Sequence, residues 1–201
     1  MTGAELIGRV VETLSAHGAR EMTWTIGPAY EPSDAEHQLL ASGAQVDHAI
    51  DIRGYLLDLP TPHFDIPKAI TVVRVRTRQE TEDFEVASAR AWGYPHPTEE
   101  DIDKAFEGLG RGHFVGYWEG EPVGAGGYTL VADVARFWGA AVAPEYRRRG
   151  VYRALVQARM TDAMTQGATL ALVHAEPTSS PILQLLGFTT FGELHSLRRK
   201  I

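Results

Sequence analysis

Apolar positions along the chain change period several times, and each change marks an element. Leu6, Ile7, Val10, Val11 and Leu14 recur every three or four residues, so residues 4–17 are expected to form an amphipathic helix closed by Gly18. Met22, Trp24 and Ile26 alternate as in a strand that Gly27-Pro28 breaks. Ser33 and Glu36 have capping-box spacing, predicting a helix to about Ala41 that Gly43 ends. Residues 44–58 read as extended, and Leu59-Pro60-Thr61-Pro62 as a linker. After Pro67 the pattern restarts with a strand on Ile70, Val72, Val73 and Val75, a helix over 79–91 and a loop, Trp92-Gly93-Tyr94-Pro95-His96-Pro97. Thr98 with Asp101 opens a helix to about Glu107. Strands follow at 113–118, 122–131 and 133–142, the first two joined by Glu119-Gly120-Glu121-Pro122. A helix from Val151 to about Thr165, a strand at 168–174, a helix at 179–186 and a strand at 188–198 complete the chain. Strands mixed with helices in this way predict an α/β (α+β) fold, a sheet flanked by helices.

The order of these elements hints at duplication. Gly18-Ala19, Glu31-Pro32-Ser33, Gln38-Leu39-Leu40 and Gly43 are echoed by Gly167-Ala168, Glu176-Pro177-Thr178, Gln184-Leu185-Leu186 and Gly187. Each series follows an amphipathic helix and leads into a strand. The division expected is an N-terminal α/β segment, 1–66, and a main domain, 67–201.

Composition narrows the chemistry. Of 201 residues, 44% are hydrophobic and 22% charged, enough apolar material for a core. The absence of cysteine excludes a disulfide scaffold, thiolate catalysis and Cys-based metal sites. No apolar stretch reaches membrane-spanning length, and the first residues lack a basic-then-apolar signal, so the expectation is a cytoplasmic chain without membrane association. A formal charge of −7 argues against nucleic acid as partner. Within that acidic background, Arg147, Arg148, Arg149 and Arg153 fall together, as suits a small anionic ligand.

Those arginines stand where a strand, a short loop and a helix meet: Val142-Ala143-Pro144-Glu145-Tyr146-Arg147-Arg148-Arg149-Gly150-Val151-Tyr152-Arg153. A helix start offers unpaired N–H groups and a positive dipole end, and glycine lets an anion approach the backbone, so the segment reads as a pyrophosphate cradle. Here the sequence resembles the GNAT acyltransferases, whose signature at this junction is Arg/Gln-x-x-Gly-x-Gly/Ala. Arg147-Arg148-Arg149-Gly150-Val151-Tyr152 matches except at Tyr152, where a small residue is usual. Val-x-Pro-Glu-Tyr-Arg and Leu186-Gly187-Phe188 are also typical, and the resemblance covers 70–201.

The resemblance implies a GNAT fold and acetyl-CoA as acyl donor. The pyrophosphate would lie on the backbone from Arg147, Arg148, Arg149 and Gly150 through Val151, Tyr152 and Arg153. The pantetheine would pair near Ala140, Ala141 and Val142, with the Val142 N–H polarising the thioester carbonyl. A substrate amine would attack directly. The family's acid, a tyrosine in the helix before Leu-Gly-Phe, is replaced by Leu183. Ser179 or Ser180 is a substitute or simply a helix cap.

Glu176, at a strand end, is the candidate base or else a solvated charge. Glu145 is expected to face solvent or cap the helix, and His174 alternates with Leu170 and Leu172 as an interior residue would. Trp92, Tyr94 and His96 are candidate substrate contacts. Gly124-x-Gly126-Gly127 lies in a strand, where it permits close packing or a bulge. The histidines lack metal-ligand spacing, so no metal is expected.

Residues 1–66 would be a half-GNAT segment without a CoA signature, docked on the complete domain or on a second subunit of a homodimer, or else an unrelated α/β extension. The resulting reading is acetyl-CoA-dependent N-acetyl transfer to a small-molecule or peptide amine. The alternative is a CoA-binding module that has lost turnover.

Overall fold

The computed structural model describes residues 1–57, 64–110 and 112–201; the expected linker at 59–62 lies outside them. The helices are α1 (Gly3–Ala16), α2 (Ala35–Ala41), α3 (Arg78–Trp92), α4 (Glu99–Glu107), α5 (Val151–Thr165) and α6 (Ser180–Leu185). The strands are β1 (Glu21–Ile26), β2 (Gln45–Leu56), β3 (Ile70–Arg74), β4 (His113–Trp118), β5 (Glu121–Val131), β6 (Val134–Val142), β7 (Leu170–Ala175) and β8 (Thr189–Lys200). The chain forms two compact units. Unit one is Met1–Arg53 with His174–Leu185 and Thr189–Ile201; unit two is Gly54–Val173 with Leu186–Phe188.

In unit one β1 pairs antiparallel with β8, from Glu21↔Lys200 to Ile26↔His195, and β2 lies on the other side of β8. Ile7 from α1, Met22 and Ile26 from β1, Leu39 from α2 and Leu197 from β8 form its buried core. The α1 stripe seen in the sequence supplies Ile7, with Val10, Val11 and Leu14 packed partly buried beside it. Helix α2 starts one residue later than its expected cap. Asp34 is the N-cap and gives no side-chain bond to α2; its Oδ1 instead accepts the Gly3 N–H at 2.9 Å. Ser33 and Glu36 therefore form no capping box, because Glu36 is turned to His195.

Unit two is built on the strand order β7-β6-β5-β4-β3. β3, β4, β5 and β6 are successive antiparallel neighbours, and β7 returns parallel to β6 after the α5 crossover. Capping boxes open α3 (Thr77 with Glu80) and, as the sequence predicts, α4 (Thr98 with Asp101). The β5 glycines are packing residues. A Cβ on Gly124 would lie 3.0 Å from Val151 Cγ1, and one on Gly127 would lie 2.4 Å from the Trp138 ring. Helix α5 and strand β6 can approach β5 only because those side chains are absent.

Two runs of elements match in order and length. α1, β1, α2 and β2 have 14, 6, 7 and 12 residues; α5, β7, α6 and β8 have 15, 6, 6 and 12. No helix among the described residues is long and apolar enough to cross a membrane.

Candidate functional site

The start of α5 is shaped for an anion. Gly150 is the N-cap at φ 98°, a left-handed conformation, and a Cβ there would meet Pro67 Cδ at 3.2 Å. It offers no side-chain cap, so the first-turn N–H groups of α5 have no capping partner among the described side chains. Arg148, at φ 62°, is a second left-handed residue in the same loop.

The clustered arginines have separate tasks. Arg147 is drawn inward: its Nε donates to the Val142 carbonyl at 3.1 Å and its Nη2 to the Ala91 carbonyl at 3.3 Å. Arg149 lies over the rings of Trp118 and Tyr146, 5.3 Å from each centroid. Tyr146 in turn donates to Glu121 at 2.5 Å, while Arg90 bridges Glu145 at 2.7 Å and Glu121 at 2.6 Å. This network fixes the loop. Glu145 is exposed, as expected, and pairs there with Arg90; its own backbone N–H and Arg90 hold its carboxyl below the usual range. The Tyr146 hydroxyl and Arg90 do the same for Glu121. All four arginines are exposed, and Arg153 reaches the Asp65 carbonyl at 3.5 Å.

Tyr152, the departure from the family signature, does not crowd this surface. It is partly buried, beside the guanidinium of Arg159, and burial pushes its hydroxyl pKa up.

Strand β6 carries the second feature. Its ladder with β7 runs from Val134↔Leu170 to Phe137↔Val173, whereas its ladder with β5 continues to Val142↔Gly124. The ladder with β5 shifts register between Ala125 and Gly127, and Gly139 has φ 61°. The Ala143 N–H donates to the Val123 carbonyl at 2.8 Å. Strand alternation therefore turns the Ala141 N–H toward β5 and the Ala140 and Val142 N–H groups to the opposite edge.

The remaining candidates are distributed. Trp92, expected in the loop, is instead the last residue of α3 and 51% exposed; Tyr94, on the loop that follows, is 67% exposed, and His96 is exposed with Nδ1 3.0 Å from the Pro97 carbonyl. Glu176 belongs to unit one, exposed, with His48 Nε2 at 2.8 Å. Leu183 is buried. Ser180 is also buried, where its Oγ bonds to Asp51 and accepts from Arg53 Nε at 2.8 Å. Ser179 bonds to the Glu176 carbonyl at 3.1 Å. His174 is exposed, not interior, so the alternation that suggested burial overextends the apolar face of β7.

Sequence reasoning missed two groups. Arg159 is 1% exposed, donating from Nε to the Leu155 carbonyl at 3.0 Å and from Nη1 to the Gly127 carbonyl at 3.2 Å. Its guanidinium also lies 4.5 Å from the centroid of Phe137. The signal was present, a charge on the apolar stripe of α5. Glu85, on α3, has its carboxyl pushed up by burial and by Asp101, and nothing in the sequence separates it from its acidic neighbours. Among the described residues no cluster of three or more His, Asp or Glu is arranged to hold a metal.

Residues 78–188 match the model of the Acetyltransferase (GNAT) family. The chain belongs to that family. No curated protein matches its sequence. Solved structures share the GNAT fold across nearly the whole chain. A GCN5-related N-acetyltransferase from Kribbella flavida is 17% identical, covering 97% of this chain and 74% of its own, with a TM-score of 0.72. One from Sphaerobacter thermophilus is 18% identical, covering 98% and 67%, with a TM-score of 0.76. A tandem GNAT protein from the clavulanic acid biosynthesis pathway is 18% identical, covering 94% and 66%, with a TM-score of 0.70. These matches extend beyond the family-model span into the first 66 residues of this GNAT protein.

Proposed function

We propose that this GNAT protein transfers an acetyl group from acetyl-CoA directly to a primary amine. The observation that carries the reading is the uncapped start of α5 behind Gly150, beside a β6 edge that presents the Val142 N–H away from β5. These groups fit acetyl-CoA. Arg148, Arg153 and the backbone N–H groups from Val151 to Arg153 would hold the pyrophosphate, and Ala140, Ala141 and Val142 would receive the pantetheine as a short added strand. Acetyl-CoA supplies an activated thioester. The Val142 N–H stabilises negative charge developing on its carbonyl oxygen, as an oxyanion-hole donor does.

Arg147 and Arg149 on this reading keep the loop in shape and, being exposed, add positive charge beside the pyrophosphate. The exposed rings of Trp92 and Tyr94, with His96, form the acceptor approach. Glu176, paired with His48, is the proposed base, taking the proton that the amine loses as the C–N bond forms and the C–S bond breaks. Residues 1–66 are proposed to be a half-GNAT copy that lost its cradle, supported by the matched element lengths.

Buried Leu183 favours a second reading, CoA binding without turnover, since an alkyl side chain donates no proton. Thermal unfolding with acetyl-CoA, followed by release of free CoA thiol with a panel of primary amines, separates the two. Saturation at about a hundred times the dissociation constant adds roughly 2.7 kcal/mol, and an Arg148→Glu/Arg153→Glu variant is expected to lose most of that shift. Stabilisation without thiol release supports the binding module. Absence of stabilisation in the parent removes both readings.

A further inference from the structure

Unit one contains a cavity of about 420 Å³, within the size range of small-molecule sites. Pro28, Tyr30 and Pro32 line it together with Glu36, Glu193 and His195. Tyr30 is held in place by Trp24, whose Nε1 donates to its hydroxyl at 2.9 Å. His195 lies between the carboxylates, with Nδ1 2.5 Å from Glu36 and Nε2 3.2 Å from Glu193. Among the described residues neither carboxylate is paired with a lysine or arginine.

The matched elements show how unusual this arrangement is. β2 and β8 correspond at a constant separation of 144 residues, Gln45 with Thr189 and Leu56 with Lys200. The same separation relates Glu36 to Ser180 and His195 to Asp51, and each pair is bonded: Ser180 to Asp51, and Glu36 to His195. At Asp51 a permanent cation is built in, Arg53 at 2.9 Å. The residue corresponding to Arg53 is Leu197, buried in the core. The loop at 27–34 has eight residues against four at 176–179, and the longer loop supplies the proline and tyrosine walls. One copy holds its own cation; the other holds a cavity bounded by two carboxylates.

We propose that this cavity binds an organic monocation, a primary ammonium on an apolar or aromatic body. The ammonium pairs with the Glu36 and Glu193 carboxylates on the cavity side of the His195 ring, and the body lies against Tyr30, Pro28 and Pro32. His195 takes the cation's place when the site is empty of it. Glu36 from α2 and Glu193 from β8 itself raise its pKa, while Ile26, its partner on β1, brings no charge. An incoming ammonium displaces that proton, so affinity rises as pH rises through the titration of His195. The proposal is independent of acyl transfer.

Benzylamine and its neutral counterpart benzyl alcohol test it, followed by NMR of the His195 ring in the full-length protein. Benzylamine is expected to shift the ring resonances and to bind about fivefold more tightly at about pH 8 than at about pH 6, with no matching response to benzyl alcohol. Glu36→Gln should weaken binding about fivefold while leaving thermal stabilisation by acetyl-CoA as in the parent. An equal response to both probes, no response to benzylamine, or an affinity indifferent to pH and to Glu36→Gln overturns the proposal.

Discussion

Arg159 shows how one residue can organise a fold from the inside. Its charge is nearly sealed from water, and burial pushes its pKa down to about 10, so it stays protonated at neutral pH. Two carbonyls and the Phe137 ring take the place of a carboxylate. The Gly127 carbonyl is part of this arrangement at the β5 bulge, opposite Trp138. Arg159→Ala should therefore destabilise the protein by about 3 kcal/mol, through a cavity and an orphaned carbonyl, whereas Arg159→Met should cost clearly less in urea unfolding. Gly150→Ala is expected to cost about 1–2 kcal/mol, since the left-handed φ and the contact with Pro67 both oppose a side chain. The left-handed turn that opens α5 was legible in Gly150, at a strand-to-helix junction. The partners of the single arginines were not, because the Trp118 ring beside Arg149 and the Ala91 carbonyl bonded to Arg147 come from distant parts of the sequence.

Element boundaries followed from periodicity and caps, and the exception is instructive. The Ser33/Glu36 spacing suggested a local capping box, but Glu36 bonds to His195, 159 residues away, and Asp34 bonds to the start of α1. A spacing rule sees only the nearby chain. Ser33→Ala should leave stability within about 0.5 kcal/mol of the parent, while Thr77→Ala, which removes the α3 cap, should cost about 1 kcal/mol by chemical denaturation. Glu85 adds a test on the same helix. Its raised pKa means that it favours the folded state fully below its unfolded pKa and loses that contribution as pH rises through the folded value. Glu85→Gln should raise the melting temperature at pH 7 and have little effect at about pH 4.

At the scale of the molecule, pH acts through groups with opposite signs. Asp51 is held below the usual carboxylate range, first by Ser180 and then, against the opposing effect of burial, by Arg53. Its contribution is complete above the unfolded pKa and fades as pH falls through the folded one. His195 is raised, so its contribution is complete below about pH 6.5 and fades as pH rises through its folded pKa. Asp51→Asn should flatten the acid side of the stability profile, and His195→Asn the mildly basic side. The duplicated order of elements was visible in a few shared residues, but the constant spacing of β2 and β8 required the observed strand limits.

Strand β6 has one further consequence. Beyond Phe137 its ladder with β7 has ended, while the Ala140 and Val142 amides point away from β5. In deuterium these two amides should exchange early, far ahead of the Ala141 and Ala143 amides directed toward β5. Saturation with acetyl-CoA should slow that pair selectively, making the exchange rates of Ala140 and Val142 a direct count of how often the added strand is in place.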